Sequence, residues 1–276
     1  MADTFVRTDA ELAAPALRAP KSEVTKRRIP RWVKGVVGTL LLLGVWEIAG
    51  QAGVAKGSIP PPSDIVSSMV DDGWSFYWSN IKVTLSEAAW GYLWGNLLAI
   101  GLALLVLIVP LLEKPAMQLG IVSYCIPVIA IGPILQIIYD GGTPKIILSA
   151  LFVFFTTLVG MLVGLRSAEP VMFDVIRGYG GGRVAELVKV RVRAALPSLF
   201  AALRIAAPAA ILGAILGEYM GGESGIGIAM IASQTSYEVN RTWGLAIVAG
   251  LLACLAYGIT AYIGRALTPW APRIER

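Results

Sequence analysis

Histidine is absent from this 276-residue chain, and cysteine occurs only twice, at Cys125 and Cys254. Without imidazole, and with two cysteines at no paired spacing, the chain assembles neither a zinc-type metal site nor a nucleophile served by a histidine base. Charged residues are scarce too. They make up 15% of the chain against 56% hydrophobic residues, and the mean hydropathy of +0.71 excludes an ordinary soluble domain. No G-x-x-x-x-G-K-[ST] occurs, so the phosphate cradle of a P-loop ATPase is missing. The nearest approach, GYGGGR from Gly178 to Arg183, fails G-x-G-x-x-G because Arg183 stands at the last glycine and no strand precedes it. A membrane enzyme is disfavoured by these absences.

What the chain does have is apolar length. Six windows, 35–54, 88–112, 115–139, 146–165, 196–217 and 243–264, carry little or no charge and reach the roughly 20 residues that cross a bilayer as helix. Lipid offers no partner to open backbone groups, so an all-α membrane protein is expected. Both cysteines fall inside these windows and are expected to pack there. Residues 1–30 lack apolar periodicity and read as a flexible tail preceding a transmembrane domain over 31–276. Of the 23 basic residues, Lys56, Lys82, Lys145 and Arg241 fall on one side of the membrane and Arg204 inside a span; the rest share the side of the termini. The positive-inside rule then places both termini in the cytoplasm. The same distribution accounts for the net charge of +5 without nucleic acid.

Between the first two windows, Pro60-Pro61-Pro62 stops the chain, Ser63 suits an N-cap, and Ile65, Val66, Met69 and Val70 keep helical spacing. Trp74, Phe76, Tyr77 and Trp78 suit an interfacial helix. The third window holds Gly120, Pro127, Gly132 and Pro133, so its hydrogen-bond ladder breaks near the middle; a kinked packing helix and a pathway-lining break both fit. Ser123, Tyr124, Gln136 and Tyr139 are polar lining candidates beside Pro127 and Pro133, by location alone. Among the few carboxylates in or beside spans, Glu47, Glu87 and Glu218, Glu218 is the candidate for gating or packing.

One segment is neither apolar nor tail. From Arg183 to Arg193, Val184, Leu187 and Val188 form a short apolar stripe, with Arg183, Glu186, Lys189, Arg191 and Arg193 mainly on other faces. Such a helix cannot span, and it offers a small apolar face to a partner's groove or to the bilayer. The glycines ahead of it make a tight turn, and Pro197 suits the first turn of the next spanning helix.

Several stretches carry a resemblance. A cytoplasmic loop before the penultimate span, with an acidic start at Asp174, a glycine at Gly180 and a downstream Leu196-Pro197, resembles the EAA loop of binding-protein-dependent ABC importer permeases. From Trp46 onward the chain is similar to the nitrate, sulfonate and taurine group of that family. SIPPPSDI resembles its Pro-x-Pro-Ser segment at Pro60, Pro62 and Ser63. IPVIAIGPILQIIYDGG resembles its I-P-x-x-A-x-x-P-L segment at Pro127, Ala130, Pro133 and Gly141. LPSLFAALRIAAPAAILGAILGEYMGGESGIG resembles its segment carrying Arg204, Glu218, Gly225 and Gly227. The departures lie in the loop: E-A-A is Asp174-Val175-Ile176, and the usual I-x-L-P is Val190-Arg191-Val192-Arg193.

The resemblance implies a six-helix bundle of the type I importer kind, with a coupling loop over 167–195. Asp174, Tyr179, Gly180, Arg183, Val184, Glu186, Leu187 and Lys189 would meet an ATPase subunit. It further implies ATP and Mg²⁺ bound by those partner chains rather than this one, and a second permease, either identical or a sister chain. An extracytoplasmic binding protein would deliver a small anion, sulfonate, pyrimidine-like compound or aromatic acid. A stand-alone secondary transporter or channel remains the alternative. It would have no need of the amphipathic loop.

Overall fold

The computed structural model describes residues 31–271, so the expected tail over 1–30 lies outside the described residues. Two compact units divide at Gly44 and Val45. The helices are α1 (Arg31–Gln51), α2 (Pro62–Ile108), α3 (Glu113–Cys125), α4 (Val128–Ile138), α5 (Thr143–Arg166), α6 (Pro170–Gly178), α7 (Arg183–Glu186), α8 (Val192–Gly221), α9 (Ile226–Thr235) and α10 (Val239–Leu267). Among the described residues there is no strand. Among the described residues five helical stretches are long and apolar enough to cross a membrane, or six if the bent pair α3–α4 is one span.

In the unit from Val45 onward, α5 is the central helix, packed against α2 and α8. Lipid tails are as apolar as leucine, so helices in a membrane associate through close packing and interhelical hydrogen bonds rather than through the hydrophobic effect. The sequence supplies that closeness in three glycine pairs spaced by four. Gly91 and Gly95 of α2 meet Ser149, Ala150 and Val153 of α5; a Cβ on Gly95 would lie 2.6 Å from the Ala150 carbonyl. Gly213 and Gly217 of α8 meet α5 at Ser149 and Lys145, where added Cβ atoms would lie 2.7 and 2.8 Å from backbone Cα atoms. Gly160 and Gly164 of α5 take Ala195, Ser198 and Ala202 of α8. Buried alanines, among them Ala99, Ala103, Ala206, Ala210 and Ala214, line the same seams.

Hydroxyl and amide groups close the seams. Thr157 Oγ1 of α5 donates to Asn96 Oδ1 of α2 at 2.6 Å, and Ser149 Oγ donates to the Ala210 carbonyl at 2.9 Å. Pro197 and Pro208 both lie within α8, where each removes a backbone donor. Nearby carbonyls receive substitutes: Ser167 Oγ donates to Ala194 at 3.2 Å and Tyr92 Oη to Leu203 at 3.2 Å.

Several expectations change. The window 88–112 falls mainly in the second limb of α2, whose helix is broken at Gly73, where φ is 77° and ψ 155°. At about 1.5 Å per residue the limb over residues 74–108 still exceeds a bilayer core of roughly 30 Å, so the aromatic residues open this spanning limb, while residues 62–72 form a short helix of their own ahead of the break. Ser63 is not an N-cap; Pro61 holds that position, and Ser63 gives Glu47 its backbone N–H at 3.1 Å and its hydroxyl at 2.6 Å. Pro197 lies inside a helix rather than in its first turn, because α7 continues through a π-helical turn (Leu187–Arg191) directly into α8. The short amphipathic helix is therefore the head of a 39-residue helical run from Arg183 to Gly221. Cys125 and Cys254 are both exposed rather than packed. Lys145, assigned above to an outer loop, is buried in α5.

Candidate functional site

The loop before α8 folds as a hairpin of helices. α6 ends at Gly178; the backbone turns at Gly180 with φ 76°, and the Gly181 N–H reaches the Ile176 carbonyl at 2.8 Å. A Cβ on Gly181 would collide with the Ile176 side chain, so this turn needs glycine for close approach. Arg177 then joins the two helices. Its Nε donates to Glu186 Oε1 at 2.7 Å, and its Nη1 lies 3.9 Å from Asp174. The hydrogen bond to Glu186 raises the Arg177 guanidinium still further above its ordinary range. Asp174 and Glu186, two expected contact residues, are thus gathered by a third that the pattern did not single out. Arg191 lies over the Phe173 ring at 5.3 Å, pinning α6 to the π turn.

Among the described residues nothing covers the outward face of this hairpin. Val184 is 73% exposed and Val188 59%, with Tyr179, Gly180, Arg183 and Lys189 also exposed, while Leu187 and Glu186 are half-buried. On the opposite side Val190 is buried and seats the turn on the bundle.

α3 and α4 meet at a 93° bend, where Ile126 and Pro127 are both extended, with ψ of 123° and 108°. The break expected in the third window is thus centred on Pro127. Pro133 lies within α4, exposed, and Tyr139 ends α4, also exposed. Gln136 packs inward, its Nε2 donating to the Gly217 carbonyl at 3.4 Å, while Gly132 admits Met220 of α8. Ser123 and Tyr124 do not join this contact: Ser123 Oγ donates to Gly120 of its own helix at 2.7 Å, and Tyr124 stacks on Phe155 with centroids 4.8 Å apart.

Behind the α4–α8 contact lies a buried polar cluster. Glu218 of α8 is 0% exposed. Its Oε1 accepts the Thr84 hydroxyl of α2 at 2.6 Å and its Oε2 accepts the Gly227 N–H at 2.5 Å. Thr84 Oγ1 in turn accepts the Ile226 N–H at 2.9 Å, and Asn80 Oδ1 accepts that of Gly225 at 3.2 Å. The free N–H groups that open any helix are thus met, for α9, by side chains of α2 and α8. Gly225 has φ 120° and lies directly on the Glu218 carboxylate, with no space for a Cβ. Beside it, Glu87 of α2 faces Lys145 of α5, whose Nζ stands 3.4 Å from Oε1. Among the described residues, Glu87 Oε2 is the buried side-chain oxygen with no hydrogen-bond partner.

Of the residues singled out from sequence, the structure brings together Gln136 and Glu218 through Gly217. Asn80, Thr84 and Lys145 were missed. Their signal was present only as polar letters four apart on α2 and a lysine at a helix start, a pattern shared with many exposed helix ends.

On the same side of the bundle, Arg241 of α10 pairs with Asp72 at 2.8 Å through Nε, and also with Glu238. Tyr77 Oη donates to Asp72 at 3.2 Å, and Trp243 Nε1 donates to the Ser58 carbonyl at 3.0 Å. These bonds tie the segment on either side of the Gly73 kink to α10.

Residues 79–270 match the family described as binding-protein-dependent transport system inner membrane component. A protein of Haemophilus influenzae named "probable ABC transporter permease protein" is 30% identical over 81% of this chain and 91% of its own. The formylaminopyrimidine transport permease of Halalkalibacterium halodurans is 27% identical over 84% of this chain and 93% of its own. The taurine transport system permease of Escherichia coli is 23% identical over 90% and 93%. Among solved structures, the inward-facing methionine ABC transporter MetNI aligns with a TM-score of 0.53 at 18% identity, over 70% of this chain and 95% of that one, a likeness of fold.

Proposed function

The chain belongs to the family of binding-protein-dependent transport system inner membrane components, and from that premise we propose how its parts serve import. It is the transmembrane permease subunit of an ATP-binding cassette importer for a small solute, built on the type I importer fold. Family membership sets aside the stand-alone transporter or channel. Binding-protein and ATPase partners follow from the family; the arrangement below is our reading.

In this reading the exposed Arg183, Val184 and Lys189, with the half-buried Leu187 between them, dock into a groove of an ATPase subunit, with Asp174, Tyr179, Gly180 and Glu186 shaping the adjoining hairpin. ATP and Mg²⁺ are held by that partner, and this chain performs no covalent chemistry. Two permease chains, identical or sister, enclose the pathway, and both termini lie in the cytoplasm. The bend at Pro127, with Pro133, Gln136 and Tyr139 beyond it, borders the pathway, as do Ser123 and Tyr124 before it. The names of the relatives, formylaminopyrimidine and taurine permeases, support a small polar or anionic solute.

The observation that carries the coupling assignment is the unbroken helical run from Arg183 to Gly221. A rigid element that both meets a partner and reaches the far end of the bundle can convert closure of the ATPases into movement at the pathway. The test is solute-stimulated ATP hydrolysis by the reconstituted transporter carrying Arg183→Glu or Lys189→Glu. Stimulation should fall at least about tenfold, the loss of roughly 1.4 kcal/mol of docking energy, with membrane insertion unchanged. Unchanged stimulation would place the contact elsewhere.

A further inference from the structure

The buried cluster around Glu218 holds more acid than base. Glu87 and Glu218 are within hydrogen-bonding reach of one another, and Lys145 is the cation that faces both. α9 contributes no titratable side chain, only the N–H groups of its first residues; Asp140 and Glu223 in the neighbouring loops are exposed. Two carboxylates against one ammonium leave a negative charge unbalanced where Glu87 is 7%, Lys145 6% and Glu218 0% exposed. Burying an unbalanced charge is costly enough that a group takes up a proton instead.

The hydrogen-bond directions say which oxygen takes it. A backbone N–H can only donate, so Glu218 Oε2 is an acceptor to Gly227. Thr84 Oγ1 already accepts from Ile226, and its own proton goes to the nearer of two oxygens, Glu218 Oε1 at 2.6 Å rather than the Asn80 carbonyl at 3.3 Å. Both oxygens of Glu218 are therefore acceptors, as in an ionised carboxylate. Glu87 Oε1 faces the Lys145 ammonium. Among the described residues Glu87 Oε2 has no donor, and the Glu218 carboxylate lies within hydrogen-bonding reach of the Glu87 side chain. A hydroxyl there turns two repelling acceptors into a donor and an acceptor, and reduces the cluster to one anion and one cation.

We propose that Glu87 and Glu218 form a proton-binding site, occupied by a single proton carried on Glu87 Oε2 and donated to Glu218. The proton comes from water and forms one O–H bond; nothing is oxidised or transferred further. Its role is positional. By keeping Glu218 an acceptor on all sides, it holds the N-terminus of α9 against α2 and α8, next to the Gln136 contact.

A glutamine is the neutral likeness of a protonated glutamate, and it separates the two residues. Glu87→Gln presents an amide N–H₂ to Glu218 and an oxygen to Lys145, so it should unfold within about 2 °C of the native protein. Glu218→Gln must aim N–H₂ either at the Gly227 N–H, which only donates, or at the Thr84 hydroxyl, which must then give up its 2.6 Å bond for the longer one to the Asn80 carbonyl, and should unfold at least about 4 °C lower. The direct readout is infrared spectroscopy of the purified protein. The native chain should show a deuterium-sensitive carbonyl band of a protonated carboxyl group that is missing from Glu87→Gln. A band that persists in Glu87→Gln, the absence of any such band in the native protein, or equal destabilisation by the two glutamines would each overturn the proposal. None of these readouts depends on transport or on a partner chain.

Discussion

Thr84 on α2 and Glu218 on α8 are 134 residues apart in the chain and joined by a 2.6 Å hydrogen bond in the core. The same hydroxyl receives the Ile226 N–H, so one side chain links three helices. Replacing it with the isosteric valine strands a buried N–H and removes a donor from a buried carboxylate. Thr84→Val should cost about 2 kcal/mol and lower the melting temperature of the purified protein by roughly 4–8 °C. Thr84→Ser, which keeps the hydroxyl, should recover most of that loss.

Lys145 and Lys82 look alike in sequence, and the structure separates them. Lys145 is buried beside Glu87, whereas Lys82 is exposed over the Trp78 ring. Lys145→Met leaves buried carboxylate without its cation and should destabilise by about 3–5 kcal/mol. Lys82→Met should stay within about 0.5 kcal/mol of the native protein. Thermal unfolding of the two variants in one detergent compares them directly.

The glycine seams carry a different expectation. At Gly217 an added Cβ meets the Lys145 backbone, which cannot swing aside as a side chain can. Gly217→Ala should cost about 1–3 kcal/mol through displaced helices. Gly101, with open space around its Cβ position, should accept alanine and gain a few tenths to about 1 kcal/mol from helix propensity. Melting temperatures moving in opposite directions would bear this out; a matched fall would count against the seam.

Arg177 is exposed and Glu186 half-buried, and a pair this open to water on one side is worth little to stability. Arg177→Glu should therefore leave unfolding nearly unchanged while loosening the α6–α7 hairpin, and solute-stimulated ATP hydrolysis should drop severalfold. The swap Arg177→Glu with Glu186→Arg should restore part of it. Recovery in the double variant distinguishes the pair from either charge alone.

Much of this architecture is written locally. Long apolar windows, the break near Pro127 and the amphipathic stripe at Val184–Val188 depend on neighbours a few residues away, and each can be read from spacing. The glycine pairs are also in plain letters, as GYLWG, GMLVG and GAILG. They pass unnoticed because hydropathy counts glycine as filler, although its missing side chain is what a helix seam needs. The polar cluster is of another kind. Asn80, Thr84, Glu87, Lys145 and Glu218 come from three helices, and no local rule distinguishes a lysine that opens a buried helix from one in a loop. The reach of the second limb of α2 was hidden for a related reason: its start just after Gly73 is polar and aromatic, yet a helix need not end where lipid does.

The π-helical turn at Leu187–Arg191 acts as a phase setting. A π turn holds one residue more than regular α-helix, so everything before it is rotated by about 100° relative to α8. Removing a single residue there would restore the α-helical winding and swing the face of Arg183 and Val184 around the axis by that angle, leaving the membrane portion in place. Substitution alters what this face is made of; a one-residue deletion alters where it points. A lineage can thus re-aim its cytoplasmic face toward a different partner in one step, and length variation among relatives should concentrate in these five residues rather than in the spans on either side.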